Sequence, residues 1–182
     1  MSEDPRETGD DEPEAANSGA RVSVVRPPYA AEVFEEVKRF YYSLGPEFDI
    51  FHLALDQIFE SKILGLLWSR DGRVAGVAGV RARYGVWMFF MVMRADHQGQ
   101  GHGRNLTRTV MGGVPPTRLV LLTVQRSNMK ARKLYKSSGF VTINRHKGQV
   151  TMLYNRGIGP WLRLPLIVAV FARNLFVSHL AG

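Results

Sequence analysis

The residues best placed to do chemistry in this 182-residue chain are Gln98, Gly99, Gln100, Gly101, His102, Gly103 and Arg104. Three glycines in five positions lie between an apolar run and a segment that reads as a helix. Such a loop lets bare main-chain amides approach a phosphorylated ligand closely, and the helix leaving it adds a positive end. The chemistry indicated is a pyrophosphate cradle. Two other glycine-rich phosphate loops fail on their residues. A P-loop needs a closing Gly-Lys-Ser/Thr, which is missing. A dinucleotide fold needs an early first strand and an acidic residue about 20 positions further on to hold a ribose. From His97 to Gly182 there is no Asp or Glu at all.

What remains is a spacing, Gln98, Gly101, Gly103, that resembles the acyl-CoA signature of the GCN5-related N-acetyltransferases (GNAT). Downstream, Asn128, Ala131, Tyr135 and the closing Gly139-Phe140 are similar to that family's second signature. The order and separation of the two motifs carry more weight than either alone. The likeness covers residues 21–155 and is most specific over 86–154.

The resemblance implies an acyltransferase that moves an acetyl group from acetyl-CoA to a primary amine by direct attack on the thioester. It implies an α/β (α+β) fold, with a mixed, mostly antiparallel sheet of six or seven strands, flanking helices and a splayed central strand pair. Residues 98 to 104 then hold the pyrophosphate. Main-chain groups at Met91, Val92 and Met93 take the pantetheine arm and polarise the thioester carbonyl, a preorganised-dipole effect. Tyr135 matches the position whose hydroxyl protonates the leaving sulfur, and a phenol stays un-ionised at neutral pH. Asn128 either holds the cofactor or the splayed backbone, or caps its helix. Arg132, with Arg126, Lys130 and Lys133, either meets the 3′-phosphate or is solvated.

One departure stands out. Many members carry a Glu on the strand before the glycine loop, and Trp87 to Met93 has no carboxylate. Asp96 falls in the turn, while His97 and His102 flank or enter the cradle. The base stays open between a water chain, Glu35 and His52. Two alternatives to a small amine acceptor follow: transfer to a protein N-terminus or lysine, and a non-catalytic acyl-CoA-sensing or anion-binding module.

The elements that must position these groups can be read in order. Residues 1–20 hold seven acids against Arg6, a charge of −6, with almost no large apolar residue, and are expected to be a disordered acidic tail. The whole chain is +8, so residues 21–182 carry 8 + 6, or +14. Such a field attracts anions, and the phosphates of CoA are the economical choice over nucleic acid. With no cysteine there is no disulfide, thiolate metal site or cysteine nucleophile. The five histidines show no metal-ligand spacing.

Val22 to Val25 is expected to form a first strand and Tyr29 to Leu44 a helix. After Gly45-Pro46, a less regular helix is expected over Asp49 to Ser61. The resemblance implies that these helices and the loop between them form one wall of the acceptor pocket, with Phe40, Tyr41, Tyr42, Phe48 and Phe51 as apolar lining or core. Glu35, Glu36, Glu47 and Asp49 are candidates to receive an amine. Ile63 to Ser69, Val74 to Ala82 and Val86 to Met93 read as an antiparallel meander with turns at Asp71-Gly72 and Tyr84-Gly85. Arg104 to Met111 reads as a helix and Arg118 to Val124 as a strand parallel to Val86 to Met93. A helix from Asn128 to Ser138 and a hairpin, Phe140 to Arg145 with Gln149 to Tyr154, complete a domain over 21–157.

Residues 158–182 form an apolar, basic extension of helical character. Its longest charge-free run, Leu164 to Ala172, is nine residues, short of the roughly 20 that span a bilayer. The expectation is packing on its own domain or at a homodimer interface, or a membrane-surface contact. With no secretory signal, the expected location is cytoplasmic, with a peripheral membrane association left open.

Overall fold

The computed structural model describes residues 19–45, 54–83 and 85–154. The acidic tail, residues 46–53 with Glu47, Phe48, Asp49, Phe51 and His52, the turn residue Tyr84, and the extension from 155 onward lie outside the described residues.

Seven strands form one sheet in the order β1-β2-β3-β4-β5-β7-β6. They are β1 (Arg21–Val25), β2 (Ile63–Trp68), β3 (Val74–Arg83), β4 (Val86–Met93), β5 (Val120–Gln125), β6 (Phe140–His146) and β7 (Gln149–Tyr154). The pairings are antiparallel except β4 with β5, which is parallel. That exception follows from the sequence, because a helix must cross between them. The helices are α1 (Ala31–Ser43), α2 (Leu55–Phe59), α3 (His102–Gly112) and α4 (Met129–Ser137). The expected second helix is shorter within the described residues, and α3 starts two residues before the position expected from its apolar spacing.

The sheet separates two cores. On one face α1 and α2 cover Val37, Phe40, Ile58, Leu64, Leu66, Val74 and Val77. On the other, α3 and α4 cover a larger set that includes Leu106, Val110, Val120, Leu122, Tyr135, Phe140 and Met152. Phe40 therefore belongs to the core, whereas Tyr42 is 70% exposed. Gly65 on β2 lets α3 approach the sheet: a Cβ there would come within 2.5 Å of Val110 Cγ2.

β4 and β5 do not stay together. Their pairing consists of Trp87 with Val120 and Met88 with Leu121. Beyond that point β4 remains paired to β3 as far as Met93, and β5 to β7 as far as Gln125. The central pair is thus splayed, and α3 and α4 both begin at its open end.

Candidate active site

The glycine loop begins where β4 ends. Ala95–His97 makes a single tight helical turn, and Gly99 and Gly101 adopt left-handed φ of 81° and 80°. At Gly101 a Cβ would meet nothing within 4 Å, so backbone conformation, not crowding, calls for glycine there. Gly103 is the reverse case. It is already helical, but a Cβ would lie 2.7 Å from Leu134 Cδ1 and 3.5 Å from Met91 Cε. It is the contact that seats α3 between β4 and α4.

Gly101 caps α3, and its carbonyl accepts from the amides of Arg104 and Asn105 at 3.0 and 3.2 Å. No side chain caps the helix, and no acid lies in its first turn. Among the described residues, the amides of Gly101, His102 and Gly103 have no acceptor. Unpaired donors at a helix start, together with the helix dipole, suit an anion. This donor set fits the diphosphate of CoA.

Side chains brace the loop from beneath. Gln98 Nε2 donates to Met93 O at 3.2 Å, Gln100 Nε2 donates to Asp96 O at 2.9 Å, and His102 Nε2 lies 3.2 Å from Gln100 Oε1. Gln98 and Gln100 thus hold the loop to the end of β4 and to its preceding turn. His102 is buried, and burial, then the charge of His97, pushes its imidazole below the ordinary value. Asp96 is exposed, held by Arg94 Nη2 at 2.7 Å and by His97 Nδ1 at 2.9 Å. The His97 bond first, then Arg94, draws its carboxyl below the ordinary range, which leaves it a weak base.

The strand register identifies which main-chain groups face the splay. Trp87 N donates across to Leu119 O at 2.9 Å, whereas Arg94 N donates the opposite way, to Ala75 O, at 2.9 Å. Backbone groups alternate along a strand, so those of Phe89, Met91 and Met93 point toward β5 and those of Val92 toward β3. Met91 and Met93 therefore address the gap, Met93 with a carbonyl that Gln98 already engages. Val92 instead turns its side chain to the α1–α2 core. The Met91 side chain packs on the α3 face, where Thr107 Oγ1 lies 3.8 Å from its Sδ.

Tyr135 lies beneath the gap. Its ring meets Phe89, the first β4 residue past the last β4–β5 pair, edge-on at 5.9 Å, and Phe140 at 5.8 Å. It is 7% exposed, and burial pushes its phenol well above the ordinary value, so the hydroxyl keeps its proton at neutral pH. Asn128 caps α4, its Oδ1 accepting from Ala131 N at 3.0 Å. Arg132 Nη1 donates to Arg126 O at 3.0 Å, tying α4 to the end of β5. Arg104 reaches across to Ser137 Oγ at 3.4 Å.

The loop, Met91, Tyr135, Asn128 and Arg132 thus gather at one end of the sheet. Sequence reasoning missed the division of labour among the three glycines and the Gln98 clasp. Neither leaves a signal in residue spacing. No described residue of β4 is a carboxylate. Among the described residues no cluster of metal-binding side chains occurs, and no helix is long and apolar enough to cross a membrane.

Comparison with solved structures finds the same fold at low identity. ElaA from Escherichia coli superposes with a TM-score of 0.60 at 12% identity, covering 75% of this chain and 99% of the other. A variant of a spermidine N-acetyltransferase from Vibrio cholerae gives 0.54 at 16%, over 75% and 94%. A GNAT-family acetyltransferase from Streptococcus pneumoniae gives 0.51 at 21%, over 74% and 96%. No curated protein sequence matches this chain. The family model for the GNAT acetyltransferases, by contrast, matches residues 30–140, which take in the glycine loop, the splay and the second motif as far as Phe140. The chain belongs to the GNAT acetyltransferase family.

Proposed function

We propose that the protein transfers an acetyl group from acetyl-CoA to the primary amine of a small molecule or peptide. The observation that carries this reading is the coincidence of two features at one end of the sheet. β4 and β5 part after Met88 and Leu121, and unpaired amides at the start of α3 lie beside the opening.

In this reading the amides of Gly101, His102 and Gly103 hold the pyrophosphate, with Gly99, Gln100 and Arg104 completing the cradle. Gln98 fixes the cradle to β4. Arg132 and its basic neighbours on α4 supply the field for the 3′-phosphate. A bound acetyl thioester supplies an activated carbonyl carbon. Met91 N–H, directed into the gap, stabilises negative charge on the carbonyl oxygen, an effect of a few kcal/mol in acyl transfer. The C–N bond forms as the C–S bond breaks, Tyr135 Oη gives its proton to the departing sulfur, and the proton that the acylated nitrogen loses restores the phenol through solvent. The acceptor ammonium first loses a proton to solvent to become the attacking amine, since β4 itself offers no carboxylate.

Thiol release from acetyl-CoA with a panel of small amines, short peptides and lysine peptides tests the proposal. Release with any amine, at a rate that saturates in both substrates, supports catalysis, and the panel ranks the acceptors. Calorimetric binding of acetyl-CoA without release would favour a non-catalytic acyl-CoA sensor, to which the absent carboxylate lends weight. No binding would overturn both.

A further inference from the structure

Among the described residues, helices cover the half of the sheet beyond β4 on one face only. β5, β7 and β6 turn Val120, Leu122, Val124, Val150, Met152 and Phe140 toward α3 and α4. On the opposite face the register aligns Met88 with Leu121, Leu121 with Leu153, and Leu153 with Val141. These four apolar side chains make a straight row across four strands, about 14 Å wide at the usual strand spacing. One step nearer the open end the row changes character, to Thr123, Thr151 and Asn144, and then to Gln125, Gln149 and His146.

The helices described on that face do not explain the row. α1 and α2 pack on β3, and the core beneath them extends no further than Phe90 and Val92 on β4. Leu121 and Leu153 belong to neither core cluster. They are nonetheless only 6% and 4% exposed.

We infer that the apolar C-terminal segment, residues 158–182, folds back over the Met88–Leu121–Leu153–Val141 row of its own chain. The segment leaves the sheet at Tyr154, one residue past Leu153, on a strand that carries the row. Of the 24 residues from Gly159 to Gly182, 15 are apolar and none is acidic. Tethered so closely, it meets the row at an effective concentration in the millimolar range, about what a short flexible linker gives. A second copy or a lipid surface would have to compete with that. The segment covers the apolar row and leaves the polar rows open, so it walls the sheet face beside the splay without filling it.

The absence of native cysteine makes the test direct. In the 182-residue chain, Thr123→Cys, at an exposed site in the adjoining row, is combined in turn with Trp161→Cys, Ile167→Cys, Phe171→Cys and Phe176→Cys, and a short bismaleimide is added at low protein concentration. The expected result is cross-linking within the monomer for at least one pair, to the greater part of the protein, unchanged on dilution. Cross-links confined to dimers would assign the row to a second copy. A monomer cross-link that anionic phosphatidylglycerol vesicles abolish, with the protein sedimenting alongside them, would assign the segment to the membrane. Either outcome, or no cross-link with any pair, overturns the inference, and none depends on acetyl transfer being observed.

Discussion

At the scale of single residues, Tyr135 carries the sharpest expectations. Removing its hydroxyl in Tyr135→Phe leaves the aromatic contacts with Phe89 and Phe140 in place. Loss of a general acid is expected to lower kcat by about a hundredfold or more. Affinity for acetyl-CoA, read by calorimetry, should change little. An unchanged kcat would remove Tyr135 from the mechanism. The same phenol shapes stability at high pH. Its folded pKa lies above the unfolded value of about 10, so the folded state holds the proton more tightly. The stabilising contribution is complete below pH 10 and is lost as pH rises toward the folded value, with a slope of about 1.4 kcal/mol per pH unit. Tyr29, pushed up to about 12 by burial, adds loss of the same sign. Denaturant midpoints measured across that range should fall with pH, and less steeply in Tyr135→Phe than in the parent.

At the scale of elements, the two ends of the site are held by different devices that mutation should separate. Gly103→Ala drives a methyl into Leu134 between α3 and α4, with an expected loss of about 1–3 kcal/mol. Gly101→Ala meets open space but forces an alanine into a left-handed conformation, at about 1–2 kcal/mol. Relief of that strain would rotate the unpaired amides, so acetyl-CoA affinity should fall more in Gly101→Ala than stability alone explains. Parallel thermal melts and titrations distinguish the two. Asn128→Ala removes the α4 cap and is expected to cost about 1 kcal/mol in a chemical melt. If it also abolishes acetyl-CoA binding, Asn128 does more than cap.

At the scale of the whole molecule, charge is unevenly spread. β1 through β4, with α1 and α2, mixes acids and bases, whereas from α3 to β7 the residues include ten Lys or Arg and no acid. The glycine loop and α4 sit in that acid-free half. Binding of a polyanionic cofactor should therefore weaken with ionic strength, since about 1 M salt shrinks the Debye length to roughly 3 Å. Titrations across a salt series should show Kd rising steadily. A flat profile would mean that the loop amides, whose close contacts salt screens little, hold the phosphates without help from the surrounding field.

Much of this protein was written along the chain. The glycine loop, the second motif and the helix crossing between parallel strands are local patterns. Each depends on φ preferences, capping chemistry or apolar period within a few residues, so the strand order around β4 and β5 and the helix that bears Tyr135 could be read directly, while the family was carried by the resemblance of the two motifs. Residue spacing could not report distances between segments far apart in sequence. That Gly103 is a packing contact with Leu134, that Gln98 clasps Met93, that Met91 and not Val92 addresses the gap, and that Met88, Leu121, Leu153 and Val141 align across four strands are all outcomes of register and helix docking. Register is decided by long-range pairing, where a shift of one residue turns every side chain to the other face, and only the folded sheet resolves it.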